Sequence, residues 1–259
     1  MNYTEHGDKN GPLMFFLHRG GVSGWIWNKQ VRYFSSYHCI VTDLPEQGES
    51  FKETPFSIDD SANQILDLIQ EKRKDKQVIV IGFSLGAQVV IAMLSQRPND
   101  IDYAMINSAL FRPIQFATMF IKSLSIFYPL VKRKSFSKLQ AKTLYIDSEL
   151  FETYYQETCK MSFQTFHRIM IENMTFSIPE QFSQATANIL VTVGQKEKGI
   201  MKISVVDLPK SNVNCTGHVF EDIGHGISLG KPDLLHQIVE QWLNHQQWMS
   251  SNIQLVNVK

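Results

Sequence analysis

Short runs of β-branched and aliphatic residues recur along this chain, and the stretches between them return apolar residues every three or four positions. The short runs predict strands at Leu13–His18, Cys39–Leu44, Val78–Gly82, Tyr103–Asn107, Ile189–Gly194 and Asn214–Phe220. Between them, Ala62, Ile65, Leu66 and Ile69 fall at i, i+3, i+4 and i+7, the stripe of an amphipathic helix packed on a sheet. Leu235, Ile238, Val239 and Trp242 repeat that stripe after Pro232, a residue suited to a first helical turn. These stripes are core. Strands alternating with helices predict an α/β fold, a mostly parallel sheet of about six strands with helices on both faces.

Residues 111–187 break the rhythm. No glycine occurs between Gly86 and Gly194, and the segment is rich in Phe, Tyr and Met. Phe163, Phe166 and Met170 keep helical spacing, and an unstructured loop of such length is uncommon, so a helical insertion is expected. The division that follows is a core of residues 1–110 and 188–248, the insertion at 111–187, and a polar tail at 249–259, frayed or lying along the surface.

Composition narrows the partners. Lys+Arg and Asp+Glu both count 25, and zero net charge argues against nucleic acid, which favours a basic stripe. Lys132-Arg133-Lys134 reads as a solvated turn. Cys39, Cys159 and Cys215 are odd in number and widely spaced without a C-x-x-C, so neither a disulfide framework nor a zinc site is expected. They read as small buried hydrophobes in a reducing cytosol, which makes a cytoplasmic location the expectation. The first eight residues show no basic start and no apolar core of a signal peptide. The greasiest stretch, Ile114 to Val131, is broken by Lys122 and Pro129 and falls short of the ~20 apolar residues of a membrane span.

The candidate chemistry begins at Gly82-Phe83-Ser84-Leu85-Gly86, between the run Val78-Ile79-Val80-Ile81 and the helix-like Ala87 to Leu94. G-x-S-x-G between a strand and a helix is a nucleophile elbow, where a sharp turn exposes the serine Oγ and a Cβ at either glycine collides with a neighbouring element. The partners then follow in the order acid, histidine. Of eight histidines, His6, His38, His167, His236 and His245 read as surface or loop residues. His225 lies between Gly224 and Gly226, after a strand and before a helix, and is the candidate general base. The carboxylate three residues past Gly194 is Glu197, the candidate triad acid, with Asp207 and Asp222 as competitors. After the preceding strand, Asn107-Ser108-Ala109 offers no carboxylate. The Leu85 N–H is one candidate oxyanion donor. The loop His18-Arg19-Gly20-Gly21 supplies the other, Gly20.

These residues resemble the α/β-hydrolase superfamily, in the lid-bearing, single-domain branch of small bacterial esterases. The resemblance runs from about Leu13 to Leu243 and rests on H-x-G-G with Trp25 or Trp27 beyond it, Asp43-Leu44-Pro45 with Gly48 and Ser50, the elbow, Gly194 to Glu197, and Gly224-His225. It implies an insertion acting as a lid, with Phe116, Met119, Phe120, Phe127, Tyr128 and Met161 lining it and Arg19, Phe83, Met119 and Phe120 meeting substrate. It implies no metal or organic cofactor, and a small to medium apolar ester or acyl compound as substrate for a monomer or homodimer. A carboxylate nucleophile of the haloalkane dehalogenase kind is disfavoured by Ser84. The family commonly opens with antiparallel strands. Few residues precede Leu13, so those strands are expected to be abbreviated or missing.

Two departures stand out. Arg19 occupies a position where the family carries glycine, and Glu46-Gln47 precedes Gly48. A re-aimed oxyanion donor costs about 10²–10³ in turnover, against about 10⁶ for loss of the nucleophile, so Arg19 alone does not make a dead enzyme. Arg19 is instead open to pairing with a substrate carboxylate or phosphate, or to lying solvated in its loop. The rival readings are a non-catalytic ligand-binding relative and a peripheral membrane enzyme docking through Ile114–Val131.

Overall fold

A computed structural model describes residues 1–124, 128–245 and 253–255. Its strands are β1 (Tyr3–Gly7), β2 (Leu13–Leu17), β3 (His38–Thr42), β4 (Val78–Phe83), β5 (Tyr103–Asn107), β6 (Asn188–Gly194), β7 (Cys215–Phe220) and β8 (Ile253–Leu255). They form one sheet in the order β1-β3-β2-β4-β5-β6-β7-β8. The six strands from β2 to β7 run parallel, while β1 and β8 pair antiparallel at the two edges. The sheet thus has eight strands among the described residues, against the six expected. The added two are edge strands, and β1 reads Tyr3-Thr4-Glu5-His6-Gly7 with three of its five residues exposed, a weak apolar signal. The opening antiparallel element is therefore abbreviated to β1 rather than missing. Of the tail, β8 is described and lies along β7; the rest of it falls outside the described residues.

Alternation in the central strands explains their composition. Leu13, Phe15 and Leu17 of β2 face one core cluster and Met14 and Phe16 face the other, so a strand buried on both sides has no polar position to show. On the first face pack α2 (Ile58–Arg73), α3 (Leu85–Gln96) and α9 (Gly199–Ser211); on the second, α1 (Asn28–Tyr33) and α11 (Pro232–Leu243). Helix α2 begins where Ser57 Oγ accepts from the Asp60 N–H at 3.3 Å, with Asp59 and Asp60 in its first turn and Lys72 and Arg73 in its last, charges that complement its dipole.

Between β5 and β6 the chain makes α4 (Ala117–Leu124), α5 (Tyr128–Val131), α6 (Lys134–Thr143), α7 (Ser148–Lys160) and α8 (Phe163–Thr175), with α10 (Ile227–Gly230) following β7. Asp147 and Ser162 cap α7 and α8 by accepting from the Leu150 and Thr165 N–H groups, each at 3.0 Å. Cys39 and Cys215 are buried and burial pushes both thiols up to about 12. Cys159, expected to be buried with them, is only half-buried on α7. No described helix is long and apolar enough to cross a membrane.

Candidate active site

Strand β4 ends at Phe83 and α3 begins at Leu85, so Ser84 alone makes the turn between them. Its φ of 55° with ψ of −110° is a conformation that residues with side chains avoid, at a cost of about 1–3 kcal/mol. Its neighbours hold it there: its N–H donates to the Asn107 carbonyl at 2.8 Å, and its carbonyl accepts from Ala87 and Gln88 at 3.1 and 3.2 Å. The glycines on either side answer to close packing. A Cβ on Gly82 would lie 2.6 Å from the Gly86 carbonyl oxygen and 2.7 Å from Ala87 Cα, and one on Gly86 would strike the Leu17 carbonyl.

Two strands away, β6 ends at Gly194 and the chain folds back so that the Glu197 N–H donates to the Gly194 carbonyl at 3.0 Å. That turn sends the Glu197 carboxylate inward, where its side chain is 2% exposed. Oε1 accepts from Ser108 Oγ at 2.6 Å and from the Gly194 N–H at 2.9 Å, and Oε2 lies 2.9 Å from His225 Nδ1. Burial alone would raise this carboxyl's pKa. The bond to His225, the imidazole's charge, and the Ser108 and Gly194 donors together outweigh burial and hold it below its ordinary value. An ionised Glu197 fixes Nδ1 as the protonated nitrogen of a neutral His225 and leaves Nε2 as the acceptor. The Phe83 ring packs on the imidazole with centroids 4.8 Å apart, so Phe83 supports the histidine from beneath. Asp207 instead forks with Arg112 at 2.8 and 3.1 Å, and Asp222 pairs on the surface with Lys196 at 3.3 Å.

The loop after β2 is equally constrained. The buried His18 accepts from the Leu44 N–H at Nε2 (2.9 Å), so its proton sits on Nδ1 and is donated to the Arg19 carbonyl at 2.7 Å. Because a trans peptide points its C=O and N–H in opposite directions, the Gly20 N–H faces away from His18. The Gly21 N–H donates to Gln47 Oε1 at 2.8 Å, and Glu46 accepts from Arg168 Nε (2.8 Å), Thr165 Oγ1 (3.0 Å) and the Phe56 N–H (2.8 Å). The Glu46-Gln47 departure is thus a brace between this loop and α8. Neither residue's role is visible from spacing, since their partners lie 122 and 26 positions away.

A cavity of about 270 Å³ lies over the elbow. Arg19, Gly20, Ser84 and Leu85 form its floor, and Tyr128, Leu144, Tyr154, Met161, Phe166, Ile169 and Met170 from α5 to α8 line the rest. Of the lining expected from sequence, Tyr128 and Met161 are there and Phe127 lies outside the described residues. Phe116, Met119 and Phe120 are not brought to the cavity. They are 74%, 68% and 52% exposed, because α4 turns Ala117 and Ile121 inward onto Met174 of α8. Phe83, also expected to meet substrate, lies under His225. Among the described residues no cluster of three or more His, Cys, Asp or Glu is placed to hold a metal ion.

Similarity to other proteins follows the same lines. The sequence profile of the α/β hydrolase fold matches residues 12–124. An AB hydrolase superfamily protein of Gibberella zeae is 28% identical over 99 residues, which span 38% of this chain and only 35% of that relative. A thermophilic esterase from Thermogutta terrifontis superposes with a TM-score of 0.76 at 16% identity, covering 94% of this chain and 93% of the other. A meta-cleavage product hydrolase from Pseudomonas fluorescens IP01 superposes with a TM-score of 0.76 at 18% identity over 94% of both chains. At such identities the likeness establishes the fold.

Proposed function

We propose that this chain, whose residues 12–124 match the α/β hydrolase fold and which superposes on a solved esterase along 94% of its length, is a serine hydrolase cleaving a small to medium apolar ester or related acyl compound. The observation that carries the reading is the His225–Glu197 pair, held at 2.9 Å with the imidazole packed on Phe83, the residue before a serine whose backbone is strained at the strand-to-helix turn.

In this reading His225 Nε2 takes the proton of Ser84 as Oγ attacks the acyl carbon, and Glu197 stabilises the imidazolium. The oxyanion rests on the Leu85 and Gly20 N–H groups. His225 then protonates the leaving group, and the acyl-enzyme is released by a water that gives its proton to the same nitrogen. Helices α4 to α8 act as the lid, and the apolar walls from α5 to α8 hold the acyl portion. The solved structures that this chain resembles include, by their names, an esterase and a meta-cleavage product hydrolase, and the same three residues would serve an ester or another acyl bond.

The test is labelling with a fluorophosphonate probe alongside turnover of a short-chain p-nitrophenyl ester. The wild type is expected to label and turn over, and Ser84→Ala to do neither. A folded wild-type protein that takes no label would overturn the reading in favour of a ligand-binding relative.

A further inference from the structure

The cavity floor carries one group that an apolar acyl pocket does not need. Arg19 lines the cavity beside Ser84, and its Nε and Nη1 are buried with no protein hydrogen-bond partner. No Asp or Glu stands among the described residues lining that cavity, so the guanidinium is its one formal charge. Other polar side chains of the lining are hydrogen-bonded to partners other than Arg19: Tyr154 donates to Gln140 Oε1 at 3.3 Å, Thr158 donates to the Tyr154 carbonyl at 2.9 Å, and Asn173 donates to Gln88 at 2.9 Å. Burial pushes the Arg19 pKa down, as it must for a cation without a counter-ion. An always-charged fork that is half-buried, with two of its donor nitrogens buried and unpartnered, is an unfavourable arrangement unless something arrives to satisfy it.

We propose that the substrate carries a carboxylate, which Arg19 receives inside the cavity while its acyl carbon sits over Ser84. This rests on the hydrolase reading above and sharpens it, replacing a wholly apolar substrate by one with an anionic head and an apolar body. A carboxylate fits better than a phosphomonoester, because one guanidinium balances one negative charge whereas a phosphate brings about −1.5 to −2.

The experiment compares p-nitrophenyl hemiglutarate with p-nitrophenyl pentanoate, two esters of the same acyl length that differ in a terminal carboxylate. Wild-type protein is expected to favour the hemiglutarate by tenfold or more in kcat/KM, and Arg19→Met to bring that ratio to about one, since a hydrogen bond to a charged group accounts for a factor of about ten to a hundred. Free glutarate is expected to slow fluorophosphonate labelling of Ser84, and inorganic phosphate not to. Equal use of the two esters by the wild type overturns the proposal. So does an undiminished preference in Arg19→Met, or protection by phosphate as strong as by glutarate. If Arg19→Met does not fold, the wild-type ratio and the two protection arms decide. A protein that never labels at Ser84 sinks the hydrolase reading itself, which separates that failure from a protein that labels normally and ignores the carboxylate.

Discussion

At the scale of single residues, the Glu197 carboxylate does more than the sequence suggests. Oε2 holds the imidazole while Oε1 is held by Ser108 and the Gly194 N–H, so the acid is itself positioned by two donors. Glu197→Gln keeps the shape and removes the charge that stabilises an imidazolium, and is expected to lower turnover by up to ~10⁴, measured with a p-nitrophenyl ester. A change within twofold would remove Glu197 from the triad. Ser108→Ala takes away one donor and leaves the other, and is expected to cost about tenfold in kcat/KM, in line with one hydrogen bond to a charged group. The difference between these residues is also a difference in legibility. Ser84, Glu197 and His225 sit at fixed positions relative to strand ends and glycines, and strand ends show as changes in hydrophobic pattern. Ser108 reaches Glu197 only because its φ is 55° and β5 lies parallel to β6, and neither fact is written in the local residues. Arg19 showed itself as an anomaly, but its burial depends on what roofs it.

At the scale of elements, the helices between β5 and β6 were expected from composition, yet composition does not say which face turns inward. The lid reading put Met119 and Phe120 in the lining, whereas α4 spends its inward face on Ala117 and Ile121, and α8 supplies Phe166, Ile169, Met170 and Asn173 to the cavity. What seats α8 is a polar brace. Arg168 pairs with Glu46 at 2.8 Å, and Glu172 Oε2 accepts from the Ile58 N–H at 2.8 Å. Burial would raise the Glu46 pKa, but the Arg168 bond, the Phe56 N–H and Thr165 hold it below its ordinary value. Arg168→Met leaves Glu46 half-satisfied and is expected to destabilise the fold by about 1–2 kcal/mol in urea melts. It should also speed hydrogen exchange along α8 and lower kcat/KM by several-fold, because that helix carries four cavity residues. Unchanged exchange in α8 would show that apolar packing alone seats the helix.

For the molecule as a whole, the sheet that carries the site also sets how the fold responds to acid. Its central strands are buried on both faces, and the register places His218 of β7 opposite Thr192 of β6. His218 is 1% exposed, and burial pushes its pKa from 6.5 down to about 4. The sign follows directly. Between pH 6.5 and 4 the unfolded chain binds a proton at this residue that the native chain does not, so the stabilisation is full above about pH 6.5 and drains as pH falls toward 4. Between pH 7 and pH 5 the loss from this one group is about 2 kcal/mol. His18 and His236 are shifted in the same direction by burial and add to the slope. Glu5 acts in a lower window. The hydrogen bond from His38, and then that from Lys72, bring it to about 2, so the tie from β1 to β3 and α2 weakens only as pH falls below about 4.5. Urea midpoints at pH 7 and pH 5 test the ordering. The wild type is expected to lose stability across that interval, and His218→Gln to lose about 2 kcal/mol less, with a residual slope from His18 and His236. Glu5→Gln should leave the pH 7 to 5 difference unchanged and flatten the fall below pH 4.5. A His218→Gln protein with the full wild-type slope would show that the buried imidazole on β7 already carries its proton at pH 5, and that the sheet tolerates the charge.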